Sequence, residues 1–78
     1  MIYDYSVAQF SDVRDAYENF EDAIERGQMG RARRYAAAIR GISREASSSV
    51  SSYAKVVLYS VEGEIEEAQE LLSAVAAL

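Results

Sequence analysis

Phe10, Val13, Tyr17, Phe20 and Ile24 recur at alternating intervals of three and four, which puts all five on one side of a 3.6-residue helix. That spacing, repeated further along, constrains the chain more than any other feature. There is no proline in 78 residues, and glycine stands only at 27, 30, 41 and 63. Most of the length can therefore be helical at little propensity cost. The expected class is all-α, without strands. A chain of this length lies at the bottom of the usual domain range. One helical domain over residues 1–78 is expected, with a core small enough that oligomerisation is expected too.

Local signals divide the helices. Ser6-Val7-Ala8-Gln9 matches a capping box and predicts a helix from about residue 7. Gly27 is its natural stop, since glycine takes the left-handed conformation at C′ without a side-chain clash. A second stripe runs through Met29, Ala32, Tyr35, Ile39, Ile42 and Ala46, and Gly30 and Gly41 weaken it without breaking it. In Ala46-Ser47-Ser48-Ser49 three hydroxyls compete for the backbone, which favours a junction. A third helix would carry Val50, Tyr53, Ala54, Val57 and Val61. Val56, Leu58 and Tyr59 spill onto its other faces, the pattern of the most buried element. Gly63 is expected to end it. Ile65, Ala68, Leu71, Leu72, Val75 and Leu78 then mark a fourth helix. The expected architecture is four helices forming two antiparallel hairpins.

A shift of 36 residues aligns Tyr17 with Tyr53, Gly27 with Gly63, Met29 with Ile65, Ala32 with Ala68 and Ile39 with Val75. A glycine followed five residues later by an alanine, in a helix-turn-helix unit of about this length, resembles the tetratricopeptide repeat. The resemblance covers roughly residues 13–78. It implies that Gly27 and Gly63 permit turns and that Ala32 and Ala68 let paired helices approach closely, and Tyr59 falls where the family favours tyrosine. The sequence departs from the family in its 36-residue spacing, in Phe20 and Val56 at a small-residue position, in Ala16 and Ser52 for the early tryptophan, and in lacking a closing proline. A small helical bundle is the other architecture compatible with the pattern.

Catalytic chemistry is sparsely represented. The chain has no histidine and no cysteine, so the commonest general base, thiolate metal sites and disulfides are excluded. Ser52-Tyr53-Ala54-Lys55 matches S-x-x-K, but the S-D-N and K-T-G motifs of the enzymes that use it are missing. Glu18 with Glu21 and Glu67 with Glu70 lie off the apolar stripes and read as solvated, because bundle metal sites normally add histidines to inward glutamates. No phosphate loop or calcium loop appears. The expectation is a non-enzymatic protein with no cofactor and no metal. Apolar runs fall far short of the roughly 18 residues of a membrane span, and no leader pattern is visible. A cytoplasmic protein without membrane contact is expected.

Charge supplies the remaining candidates. Six arginines and no acid lie between residues 26 and 44, within a chain of formal charge −5. Arg33, Arg40 and Arg44 share a helical face and are the alternative, basic surface, able in principle to track phosphates. The overall acidity, and the lack of interleaved aromatics other than Tyr35, argue against nucleic acid. Glu62, Glu64, Glu66 and Glu67 form an acidic cluster suited to a basic partner, although acids in a helix's first turn are also explained by the helix dipole. Tyr3 and Tyr5 precede the first helix and either cover the core or serve as contact residues. The favoured function is a protein–protein interaction module, a small helical adaptor that contacts another protein through these residues. The alternative is a small inhibitor encoded by a virus or mobile element, whose acidic face blocks a nucleic-acid-binding site on a host complex. The apolar end Val75-Ala76-Ala77-Leu78 further suggests a homodimer, unless the arm with Ile2, Tyr3 and Tyr5 folds over it.

Overall fold

A computed structural model describes residues 5–46 and 48–78, with side chains described for residues 9–46 and 49–78. The described residues form three helices and no strand: α1 (Tyr5–Glu25), α2 (Met29–Glu45) and α3 (Ser48–Ala76). The all-α class holds, and the expected count of four helices is corrected to three. At about 1.5 Å per residue, α3 is about 43 Å long, α1 about 31 Å and α2 about 25 Å.

The α1–α2 turn forms where the sequence places it. Gly27 has φ +69°, the backbone conformation that only glycine adopts without strain. The Gln28 N–H donates to the Ala23 carbonyl at 2.8 Å and the Gly27 N–H donates to the Ile24 carbonyl at 3.1 Å. These are the two closing bonds of a Schellman motif with glycine at C′. The Ala32 N–H donates to the Gln28 carbonyl at 2.9 Å and closes the first turn of α2. Gly30 and Gly41 lie inside α2 without ending it. At the second junction Ala46 is extended, which agrees with the break expected between Ala46 and Ser49. Ser51 Oγ donates to the Ser43 carbonyl at 2.6 Å and ties α3 back onto α2. The α1 start differs from expectation, because Tyr5 is already helical and Ser6 therefore lies inside the helix rather than capping it.

Gly63 does not end a helix. α3 runs through it, and Gly63 has neither a positive φ nor any neighbour within 4 Å of the Cβ that alanine would add. The difference from Gly27 lies in the phase of the apolar stripe. After Ile24 the next stripe positions hold Gly27 and Gln28, so the pattern breaks. Through Gly63 it does not: Val57, Val61, Ile65, Ala68, Leu72 and Val75 keep the helical period. One glycine in a helix interior costs about 1 kcal/mol relative to alanine, less than would be lost by turning a continuous stripe off the core. The second hairpin expected from the repeat is therefore not formed. Gly63 and Ala68 lie on one straight helix.

The core is built from Val13, Ala16, Phe20 and Ala23 of α1, Ala32, Ala36 and Ile39 of α2, and Val50, Ala54 and Val61 of α3. Half of these are alanines, which let three thin helices approach closely. Phe10, Tyr17, Ile24, Tyr35, Ile42 and Ile65 pack around them. The expectation that the third helix is the most buried element is overturned, since Val56 is 69% exposed and Tyr59 84%. Ser43 is buried, with its Oγ donating to the Arg40 carbonyl at 2.7 Å.

Candidate interaction surface

Two contacts fix how far α3 projects. The Phe10 ring lies 5.4 Å from the Tyr53 ring, and Glu21 stands beside Glu64. Both pairs have the same offset in sequence, so α1 and α3 run parallel and in step. Six positions further on, the Gly27 turn comes level with Glu70. Beyond that level α1 and α2 offer no support.

The apolar line of α3 continues regardless. Val50, Ala54, Val57, Val61, Glu64, Ala68, Leu72 and Val75 follow one another by three or four residues, so the face that packs on the core inside the bundle is the face left bare outside it. Leu71 is 62% exposed, Leu72 50% and Val75 66%. Residues 71–78 carry no charged side chain. Single exposed apolar residues are ordinary on protein surfaces, whereas Leu71, Leu72 and Val75 lie close together within two turns of one helix.

The acidic residues fall around this segment in three environments. Glu62, Glu66 and Glu67 are exposed, as is Glu70. Arg40 Nη2 donates to Glu62 Oε1 at 3.2 Å, which ties Glu62 to α2. Glu64 is not an exposed acid. It falls on the apolar line and faces α1, and its Oε2 is buried without a hydrogen-bond partner. Burial first, and the Glu21 carboxyl second, push the Glu64 carboxyl up to about 7. Interaction with the Glu21 carboxylate, then burial, hold the Tyr17 phenol up at about 12. Glu21, expected to be solvated, thus belongs to the α1–α3 contact. The four acids do not line one face, and none lies in a helix's first turn, so the dipole explanation does not apply.

Tyr3 and the Tyr5 side chain lie outside the described residues. The Tyr5 backbone begins α1, level with the start of α3 and therefore at the opposite end of the molecule from Leu72. The apolar tip begins more than 20 residues further along α3, about 35 Å from that end.

Arg33, Arg40 and Arg44 are exposed on α2. Arg33 and Arg40 line a shallow cleft with Ala36, Glu62 and Ile65, so the basic face meets an acid of α3 across that cleft. Arg31 Nη1 donates to Asp22 Oδ2 at 2.7 Å, and Arg26 Nε donates to Asp22 Oδ1 at 3.0 Å. Hydrogen bonds from Arg31 and then Arg26 hold the Asp22 carboxyl below its ordinary value. The Arg31 guanidinium also lies 5.5 Å above the Tyr35 ring. Ser52 and Lys55 are both exposed. Among the described residues no group of three acids could hold a metal ion, and no helix is long and apolar enough to cross a membrane.

The apolar end at Val75 to Leu78 is legible in the sequence. Leu71 and Leu72, which the spacing assigns to a fourth helix, continue the bare face back along α3. No protein-family model, curated protein or solved structure matches the chain.

Proposed function

We propose that this chain is a non-enzymatic protein–protein interaction module whose binding element is the free C-terminal stretch of α3. One observation carries the reading: the core-facing stripe of α3 continues past the bundle as exposed Leu71, Leu72 and Val75. A helix apolar on most of its sides is normally buried, and the bundle leaves this one without a neighbour. Recognition would follow the helix-in-groove mode, in which apolar residues at helical spacing fill a complementary surface. Exposed Glu66, Glu67 and Glu70 border the stripe and bar partners that set acids against them. The three-helix bundle acts as a rigid mount for the segment.

Photo-crosslinking tests this. A benzophenone amino acid at position 71 should capture a protein chain, either a second copy or another protein, whereas the same group at exposed position 55 should not. Equal capture from both positions would contradict the reading.

A further inference from the structure

We propose that the cleft between α2 and α3 is a further docking site, which takes an acidic amphipathic helix of a partner protein. It uses none of residues 71–78, so it stands or falls independently of the α3 tip. Charge, shape and spacing each point to that occupant.

The charge of α2 is only partly balanced within the chain. The helix carries Arg31, Arg33, Arg34, Arg40 and Arg44 against a single acid, Glu45. Arg31 is paired with Asp22 and Arg40 with Glu62. Among the described residues, no acid lies within ion-pair distance of Arg33, Arg34 or Arg44. Arg33, Arg40 and Arg44 follow one another by seven and four residues, so they form one row along the helix.

The cleft is mixed in character. Arg33 and Arg40 line its α2 side, Ala36 and Ile65 supply an apolar floor, and Glu62 lines its α3 side. Its volume is about 280 Å³, just below the about 300–1,000 Å³ of small-molecule sites. That size suits a side chain presented by a macromolecule better than a free ligand.

Spacing identifies the macromolecule. Seven helical residues span about 10.5 Å, so a partner helix laid along α2 with carboxylates seven residues apart reproduces the separation of Arg33 and Arg40. An apolar residue three or four positions after the first carboxylate falls between them, over Ala36 and Ile65. Glu62, with Glu66 one turn beyond it, repels acids from the α3 side and holds the partner's acidic row over α2. The Arg40–Glu62 pair is about half exposed on both sides, so a partner carboxylate exchanges with Glu62 readily. A phosphate backbone fits worse. It offers nothing to the apolar floor, and no aromatic lines the cleft to stack a base.

An NMR titration of the full isotope-labelled chain tests the site. The probe is a capped, alanine-rich helical peptide with two glutamates seven residues apart and a leucine between them. Saturable shifts at Arg33, Ala36, Arg40 and Ile65 are expected at low salt. Arg33→Glu should weaken binding at least about fivefold, and Glu62→Gln should tighten it about two- to fivefold by releasing Arg40. Both positions are exposed, and circular dichroism should show both variants folded. Lysine in place of the probe's glutamates should abolish binding, and serine in place of its leucine should weaken it at least about threefold. Absence of shifts at about 1 mM probe, shifts confined to other residues, or undiminished binding to Arg33→Glu would overturn the site. Weaker binding to Glu62→Gln, or equal binding of the lysine or serine peptide, would do so too. Oligothymidylate that shifts the same residues at lower concentration than the peptide would make nucleic acid the occupant and overturn the proposal. None of these outcomes bears on capture from position 71.

Discussion

Glu64 of α3 and Glu21 of α1 bring two carboxyl groups together at the edge of the core, with one Glu64 oxygen buried and unpartnered. The Tyr17 hydroxyl from α1 and Glu67 from α3 complete the titratable surroundings. A glutamate in the unfolded chain titrates near about 4.3, whereas Glu64 in the folded chain titrates at about 7. Between those values the folded protein holds a proton that the unfolded protein releases. This contribution to stability is complete below the unfolded value and is lost as pH rises through about 7. The melting temperature should therefore fall from pH 5 to pH 8. Because the carboxyl is only partly withdrawn from water, the loss is on the order of 1 kcal/mol, or about 4–8 °C in a domain of this size. Glu64→Gln should melt higher than wild type at pH 8 and show a flatter profile. Equal pH dependence in both proteins would remove Glu64 from the account.

Asp22 has the opposite sign. Arg31 and Arg26 hold its carboxyl low, so its contribution is present at neutral pH and declines as pH falls through the carboxylate range. Asp22→Asn should lower the melting temperature slightly at pH 7 and cause no further loss at pH 2–3. Thermal melts at the two pH values, repeated at high salt to screen the exposed ion pair, check this.

Glycine substitutions separate a turn from a helix interior. Gly63→Ala should stabilise by about 1 kcal/mol, since the site is helical and the space around it is open. Gly27→Ala should destabilise by about 1 kcal/mol or more, because its φ of +69° opposes a Cβ. Urea denaturation distinguishes the two. Equal destabilisation at both positions would restore a turn at Gly63.

Ala32 and Ala68 occupy equivalent places in the sequence repeat and different places in the molecule. Ala32 is 0% exposed between α1 and α2, so Ala32→Leu should overpack the crossing and cost about 1–3 kcal/mol. Ala68 is half-buried at the rim of the bundle, and Ala68→Leu should leave monomer stability within about 0.5 kcal/mol. Chemical denaturation of the two variants at low protein concentration measures the asymmetry.

Most of the bundle was legible because periodicity records burial directly. Val13, Phe20, Ile39, Val50 and Val61 stood on the expected stripes and are buried. Gly27 was legible because no apolar residue carries the stripe across it. Gly63 is a misleading signal on residue type alone, because the apolar stripe runs through it unbroken. The same phase would have placed Glu64 on the apolar line between Val61 and Ala68, and so beside α1 instead of among the exposed acids. Sequence could not supply the length of α3 relative to its neighbours. That length, which bares Leu71, Leu72 and Val75, depends on the step between α1 and α3 set by Phe10 against Tyr53.

One distance decides whether α3 is a single helix that projects beyond its bundle. Spin labels at Lys55→Cys and Ser73→Cys, both exposed, can be measured by double electron–electron resonance, with labelled chains diluted in unlabelled protein to suppress signals between copies. A continuous helix separates the two backbones by about 27 Å. A turn at Gly63 would fold the two halves side by side at the about 8–10 Å of packed helices. A narrow distribution near about 27 Å is the predicted result, and a population near about 10 Å would contradict both the fold and the exposed tip.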